Sequence, residues 1–299
     1  MPGLKDLRVR IKAIKNTQQI TRAMKMVASA KFKRAEQQTL KYRNFKKKIE
    51  DITLSLALRC DIKEHFLLDK NSSNTIGIVV VTSDRGLCGA FNSLLLKELV
   101  RYINELKQQD KNYKLWVIGR KGATYLTKRN YQVEKSFVGV YRTFDIKVAD
   151  KIANELIDDY KQGNVGSILV LYNHYKSILK QNITFKKLAP VVDNIDEKIQ
   201  QDAEFKNKME GEIIDYLYEP SEVAILEQLL PMYISSEIYS ALLESYVGEL
   251  ASRMTAMDNV TNNCVERLRI LTIQYNRMRQ AAITKEISEI VGGANALEQ

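Results

Sequence analysis

Residues 243–282 read LESYVGELASRMTAMDNVTNNCVERLRILTIQYNRMRQAA. Alternating steps of four and three pass through Leu243, Val247, Leu250, Met254, Met257, Thr261, Cys264, Leu268, Leu271, Tyr275, Met278 and Ala282. Twelve positions fit without a skip, and a mean step of 3.5 residues is the seam of one helix kept against another. The chain has four prolines, Pro2, Pro190, Pro220 and Pro231; none follows Pro231, and no glycine lies between Gly248 and Gly292. The pattern therefore predicts one helix from about Ser221 to about Val291, ended by the Gly292-Gly293 pair. At 1.5 Å per residue this is roughly 100 Å.

The other end of the chain carries a matching seam. Counting in sevens gives Leu7, Ile14, Thr21, Ala28, Ala35, Tyr42, Ile49 and Leu56, a helix of roughly 80 Å. Its companion seam is expected to shift, with Leu4 and Ile11 serving it early, Phe45 and Ile52 late, and Gln18 and Lys25 interrupting it between. The middle of this helix is thus expected to be loosely paired, with Met26-Val27-Ala28-Ser29-Ala30 small enough for close approach of a second backbone. Helices of an ordinary bundle are the competing reading, and the lengths argue against it. Paired with each other, the terminal helices would wind as a left-handed coiled coil. An inserted domain with its two ends close together makes the pair antiparallel.

Between the helices the periodicity changes. Thr75-Ile76-Gly77-Ile78-Val79-Val80-Val81 is a β-branched run suited to a strand buried on both faces. A helix pattern follows at about Phe91–Lys107, then Leu115–Ile118 as a strand, helices near Lys121–Lys128 and Val148–Tyr160, and a strand at Ser167–Tyr172. Strand and helix alternate, which predicts a Rossmann-like α/β domain with a mainly parallel sheet. The expected order is an N-terminal coiled-coil helix over 1–58, a connector over 59–74, the α/β domain over 75–190, a polar linker and foot over 191–220, and the C-terminal coiled-coil helix over 221–299.

Chemistry-bearing motifs are sparse. Ser83-Asp84-Arg85-Gly86-Leu87-Cys88-Gly89-Ala90 lies between a strand and a helix, where a phosphate loop would lie, but has neither GxGxxG nor GxxxxGK[ST]. Gly119-Arg120-Lys121-Gly122 supplies neither. A tight turn whose glycines admit close helix–strand packing is the better reading. His65 and His174 are the only histidines, and neither stands at motif spacing from a Ser, Cys or carboxylate. Asp158-Asp159 reads as helix surface. Cys60, Cys88 and Cys264 are odd in number and far apart, so neither a disulfide framework nor a zinc site is suggested. No catalytic residue, cofactor or metal site is expected.

The +10 net charge is concentrated. Residues 1–50 hold fifteen Lys/Arg against three Asp/Glu, a net +12 that leaves −2 for the rest. Such a segment meets something acidic: nucleic acid, an anionic membrane surface or an acidic protein patch. No uncharged apolar run reaches membrane-spanning length. The basic N-terminus has no apolar core of a secretory signal.

Ile20–Lys31 (ITRAMKMVASAK), SDRGLCGAFN at 83–92, YLYEPS at 216–221, ASRMTAMDN at 251–259 and RQAAITKEISEIVGGA at 279–294 closely resemble the gamma subunit of F-type, proton-translocating ATP synthases. The resemblance spans essentially the whole chain in order. It implies a coiled-coil shaft with a Rossmann-like domain beside it, serving as the central rotating shaft of a rotary motor. A shaft with unlike faces contacts otherwise identical catalytic subunits differently and biases each toward a different nucleotide affinity. The implied partners are the alpha and beta subunits of the ring, the epsilon subunit and the membrane's proteolipid ring. The basic segment then faces acidic loops of the beta subunits, with Arg22, Met24 and Lys25 at the family's motif. Arg279, Gln280 and Thr284 match the family's catch contacts with the ring, and Glu286 is close by. Ile287, Ile290 and Val291 would sit in an apolar bearing, and Tyr216, Tyr218 and Glu219 at the foot. The regulatory cysteine pair of plastid versions has no counterpart, so no thiol switch is expected. The implied location is peripheral, on the cytoplasmic face of a bacterial inner membrane or the matrix face of an organelle inner membrane.

Two other classes compete. A basic coiled-coil nucleic-acid binder predicts strongly salt-dependent DNA binding, but the cations extend over about forty residues without a paired basic fork. A small-molecule α/β enzyme with helical arms predicts tight nucleotide binding by residues 75–190, against which the missing phosphate motifs count.

Overall fold

The computed structural model describes residues 3–57, 65–69, 71–142, 145–191, 193 and 221–297. The elements in order are α1 (Leu4–Ala57), β1 (Thr75–Val81), α2 (Phe91–Gln108), β2 (Asn112–Ile118), α3 (Arg120–Thr127), β3 (Lys135–Phe137), a short 3₁₀ turn (Val140–Arg142), α4 (Ile146–Lys161), β4 (Ser167–Tyr175), β5 (Gln181–Ala189) and α5 (Glu222–Leu297). The chain divides into two compact units, residues 1–29 with 253–299, and residues 30–252.

In each unit α1 and α5 run antiparallel. In the first, the Thr21 and Thr261 hydroxyls lie 2.8 Å apart and Lys25 Nζ is 2.6 Å from Asp258 Oδ1, so higher numbers on α1 meet lower ones on α5. In the second, Gln38 Nε2 donates to Tyr239 Oη at 3.0 Å, Tyr42 Oη donates to Ser236 Oγ at 3.0 Å, and Lys46 pairs with Glu237 at 3.0 Å. All eight heptad positions of α1 and all twelve of α5 are buried or half-buried.

The companion seam departs from expectation. It continues without a shift through Leu4, Ile11, Gln18, Lys25, Phe32, Thr39, Lys46 and Thr53, each buried or half-buried, while Phe45 is exposed. Polar residues hold seam positions because the facing helix satisfies them, as Asp258 does Lys25 and Glu237 does Lys46. The Gly292-Gly293 pair does not end α5, which continues to Leu297, and neither glycine takes positive φ. Without a left-handed cap, glycine in a helix is a penalty of about 1 kcal/mol rather than a stop.

The α/β part of the second unit carries one five-stranded sheet in the order β3-β2-β1-β4-β5. The β1/β2, β1/β4 and β2/β3 pairs are parallel, and β4/β5 is antiparallel. Period-2 alternation sends Val79, Val81, Trp116, Ile118, Ile168 and Val170 to one face, where they pack with α4 and with Leu54, Tyr233, Ile234 and Ile238 of the terminal helices. Ile78, Val80, Leu115, Val117 and Leu171 face the other way, against α2 and α3. Buried strands need covering on both sides, and this is why they read as continuous apolar runs. Two strands were absent from the sequence expectation: β3 is only three residues long, and β5 is an edge strand carrying Lys186-Lys187.

Candidate partner interface

The residues assigned by resemblance fall into separate places. Arg22 is exposed, Met24 is half-buried, and Lys25 spends its ammonium on Asp258, an ion pair whose side chains are 41% and 42% exposed. Arg279, Gln280, Thr284 and Glu286 are all exposed, with Thr284 Oγ1 donating back to Gln280 O at 3.0 Å. Thr261 faces Thr21, so Arg279 lies eighteen residues farther along the same helix, about 27 Å at 1.5 Å per residue. The structure does not bring the two groups together. Tyr216, Tyr218 and Glu219 lie outside the described residues.

The seam of α5 ends at Ala282. Every described side chain from Ile283 to Val291 is exposed, including Ile283, Ile287, Ile290 and Val291. These four recur at helical spacing and form one bare aliphatic stripe. A second exposed apolar group, Ile20, Met26 and Val27, sits among the cations of α1. Met26 and Val27 do not belong to the close-packing stretch expected of residues 26–30. Only Ala28 of that run is buried, because it alone lies in the heptad register. Subtracting the seam from the apolar residues would have exposed both stripes.

The loop after β1 is tied to its neighbours through Asp84, whose carboxylate accepts from Arg120 N at the start of α3 at 3.0 Å and from Gly139 N after β3 at 3.0 Å. Asn92 Oδ1 accepts from Ser83 N at 3.0 Å, and Asn92 Nδ2 donates to Ser83 Oγ at 2.7 Å, fixing the loop on α2. The close helix–strand packing falls at the second glycine pair. A Cβ at Gly119, φ +95°, would lie 2.1 Å from Thr82 O, and one at Gly122 would lie 2.6 Å from Thr82 Oγ1. Cys88 is buried beneath the loop.

The carboxyl ends of β1 and β4, where open α/β sheets place ligands, are covered by α5. Gly248 packs so tightly that a Cβ would lie 3.3 Å from Phe91 and from Gln181. Tyr246 stacks on Tyr141 at 5.4 Å between centroids, and Tyr141 Oη donates to Thr82 O at 3.1 Å. Burial, then the charges of Glu249 and Asp84, lifts the Tyr141 phenol well above its usual value of 10, so it remains a donor.

Below this, α5 meets the sheet through charge. Glu237, 2% exposed, pairs with Lys46 at 3.0 Å and with Lys186 at 2.9 Å, and Lys186 is 3.5 Å from Glu50. Burial works to lower the Lys186 pKa, but Glu237, Tyr233 and Glu50 outweigh it and hold it well above 10.5. Glu244 pairs with Arg43 at 3.3 Å and with the His174 ring. Burial pushes the Glu244 carboxyl up, and the His174 bond with the charges of His174, Arg43 and Lys46 outweighs it, leaving it below 4.5. His174 thus does meet a carboxylate, seventy positions away, which spacing could not reveal. Among the described residues no group of three or more His, Cys, Asp or Glu could hold a metal, and no helix is long and apolar enough to cross a membrane.

Antiparallel terminal helices with one bare end and an α/β insertion whose ligand crevice is filled by its own helix define a class of protein whose free surfaces suit partner chains. The chain belongs to the ATP synthase gamma-chain family: the family model described as ATP synthase matches residues 3–297. The gamma chain of Chloroherpeton thalassium is 41% identical, over 100% of this chain and 99% of its own length. That of Pelotomaculum thermopropionicum is 39% identical, covering both chains completely. A chain of the Tetrahymena thermophila mitochondrial ATP synthase central stalk and c-ring aligns at TM-score 0.56 and 26% identity, over 80% of this chain and 98% of its own. A chain of the Euglena gracilis mitochondrial enzyme aligns at TM-score 0.64 and 18% identity, over 98% and 94%, and shows the same fold.

Proposed function

We infer that this chain is the central rotating shaft of an F-type ATP synthase, coupling proton flow through the membrane sector to ATP synthesis and hydrolysis in the alpha-beta ring. The observation that carries this is likeness to gamma chains over the full length, at 41% identity with the first relative named above. Its partners are the alpha and beta subunits, the epsilon subunit and the proteolipid ring. The chain performs no chemistry of its own; the crevice filled by α5 supports that reading. It acts by making unlike contacts with like subunits, so that each catalytic subunit is held at a different nucleotide affinity.

The work divides along the chain. Residues 1–58 and 221–299 serve as the shaft and 75–190 as the α/β domain, while part of the connector over 59–74 and nearly all of the linker and foot over 191–220 lie outside the described residues. Arg22 and Met24, with exposed Ile20, Met26 and Val27, meet acidic loops of the beta subunits. Lys25 contributes through Asp258 as much as through its own charge. Arg279, Gln280, Thr284 and Glu286 engage the ring as a catch, and Ile287, Ile290 and Val291 turn in an apolar bearing, a role their exposure supports. Tyr216, Tyr218 and Glu219 form the foot near the proteolipid ring and epsilon. The location is peripheral, on the cytoplasmic face of a bacterial inner membrane or the matrix face of an organelle inner membrane.

Co-expression with alpha and beta subunits tests the reading. The chain is expected to enter the complex at one copy per ring and to restore ATPase activity. A ring equally active without it would remove the shaft from the mechanism.

A further inference from the structure

Glu244 of α5 stands where three elements of the second unit meet, and it is bonded from the other two. From α1, Arg43 Nη2 lies 3.3 Å from Glu244 Oε1 and also donates to Tyr175 O of β4 at 3.3 Å. From β4, the His174 ring meets Glu244 Oε2 through Nδ1. One carboxylate is thus held between a permanent cation, a guanidinium, and an imidazole whose charge depends on a proton. The Glu244 side chain is 6% exposed and that of His174 is 35% exposed, so water reaches the ring more readily than the carboxylate.

The groups facing this pair leave His174 as the variable member. Tyr172 of β4 lies edge-on to the ring at 6.4 Å, and burial, then the Glu244 charge, pushes its phenol up. Tyr175 Oη donates to Glu36 of α1 at 3.0 Å, and burial, then that bond, lifts its phenol to about 12. Lys46 of α1 and Lys186 of β5 are both engaged by Glu237 of α5, at 3.0 and 2.9 Å. Asn182, opposite His174 on β5, carries no charge. Burial pushes Glu244 up, but the His174 bond and charge, with Arg43 and Lys46, outweigh it, so the carboxylate stays ionised beside the ring. Histidine is the one residue type in this cluster that ordinarily changes charge between about pH 5 and 8.

We propose that His174 is a pH-sensitive clasp that grades how firmly the α/β domain is held to α5: the protonated ring closes on Glu244 and fastens β4 to the helix, and the neutral ring slackens that fastening while Arg43 stays in place. A bond that stabilises the imidazolium is complete while the ring is charged and declines as pH rises through the ring's titration. The hold is therefore tightest in mildly acidic solution and weakest in mildly alkaline solution. A neutral ring still offers one N–H to the carboxylate but without charge assistance, so the clasp slackens rather than opens. The contact is internal to this chain and stands whether or not the chain turns as a shaft. In a shaft it makes the attachment of the α/β domain follow the proton concentration around the enzyme.

The test unfolds the full chain in urea at several values between about pH 5.5 and 8.5, with Trp116 fluorescence as the readout, for the wild type, His174→Lys and His174→Gln. Lysine keeps a cation beside Glu244 across this range and glutamine supplies none. The wild-type midpoint is expected to exceed that of the Gln variant by about 0.3 M at the acid end, and the gap to close toward the alkaline end. The gap between the Lys and Gln variants is expected to stay constant. Differences taken at one pH cancel His65, whose pKa burial lowers, so that its own contribution runs the other way, growing with pH. A gap between wild type and the Gln variant that is independent of pH or widens as pH rises, or a Lys variant that loses its advantage in step with the wild type, would overturn the clasp. If the Gln variant does not fold, wild type against the Lys variant decides: the wild type has to fall away from it as pH rises, and parallel curves refute the proposal.

Discussion

Replacing Glu237 by Gln removes one charge from the buried contact between α5 and the sheet while keeping its shape. Glu237 is 2% exposed and lies 3.0 Å from Lys46 and 2.9 Å from Lys186, whose side chains are 18% and 25% exposed. Breaking a buried pair by deleting one partner costs about 3–5 kcal/mol, because the survivor keeps its desolvation without its compensation. Two circumstances reduce this: Glu50 stays 3.5 Å from Lys186, and both lysines retain some water. A loss of about 2–4 kcal/mol is expected. Trp116, the single tryptophan and 1% exposed in the sheet core, reports on this unit by itself. With an m-value of about 3 kcal/mol/M in urea, the fluorescence midpoint should fall by about 1 M. The lysine adds a pH signature. Its folded pKa is raised above 10.5, so its stabilising share is complete below that pH and is lost as pH rises through the higher folded value. Glu237→Gln should therefore weaken the protein at neutral pH and flatten its strongly alkaline limb. A change below about 0.5 kcal/mol, or an alkaline limb unaltered, would refute the assignment. The triple change Lys46→Met, Glu237→Leu and Lys186→Met should recover most of the loss, as apolar replacements of buried ion groups often do.

Glu244 gives the acid counterpart. Its folded carboxyl lies below 4.5, so its contribution is present above that pH and disappears as pH falls through the folded value; Glu244→Gln should flatten the Trp116 acid titration there, and an unchanged curve would contradict the His174 and Arg43 pairing. Gly119→Ala forces a Cβ to 2.1 Å from Thr82 O at φ +95° and should destabilise by more than about 1 kcal/mol in the same urea assay, a neutral result ruling out the tight turn. The Lys25–Asp258 pair is about two-fifths exposed, so a double-mutant cycle to Ala should give a coupling of about 0.2–1 kcal/mol that shrinks in high salt. In the assembled enzyme Lys25→Glu should loosen the coupling of hydrolysis to proton transport. If Asp258→Lys restores it, Lys25 acts across the seam; if it does not, the cation meets the ring directly.

What could be read from the sequence, and what could not, follows the range of the forces involved. A heptad seam is a local pattern, and Leu7 through Leu56 with Leu243 through Ala282 could be placed because each position needs only to be apolar or small at its own step. The buried strands were legible for the same reason, since Thr75–Val81 is apolar whichever neighbours flank it. Lys25, Lys46, Lys186 and Glu237 were not, because burying a charge is acceptable only with its partner, and those partners lie as far as 233 positions away. Counted alone, Lys25 interrupts a seam and Lys186-Lys187 spoils a strand; beside Asp258, Glu237 and Asp193 they belong in both. The exposed apolar residues show the converse. Ile287, Ile290 and Val291 are apolar without a seam to bury them, and Leu179 is apolar on a turn tied down by Gln181. Neither exposure follows from the local pattern, because an apolar residue off the seam reads in the sequence just like one on it, and only the packed helices tell the two apart.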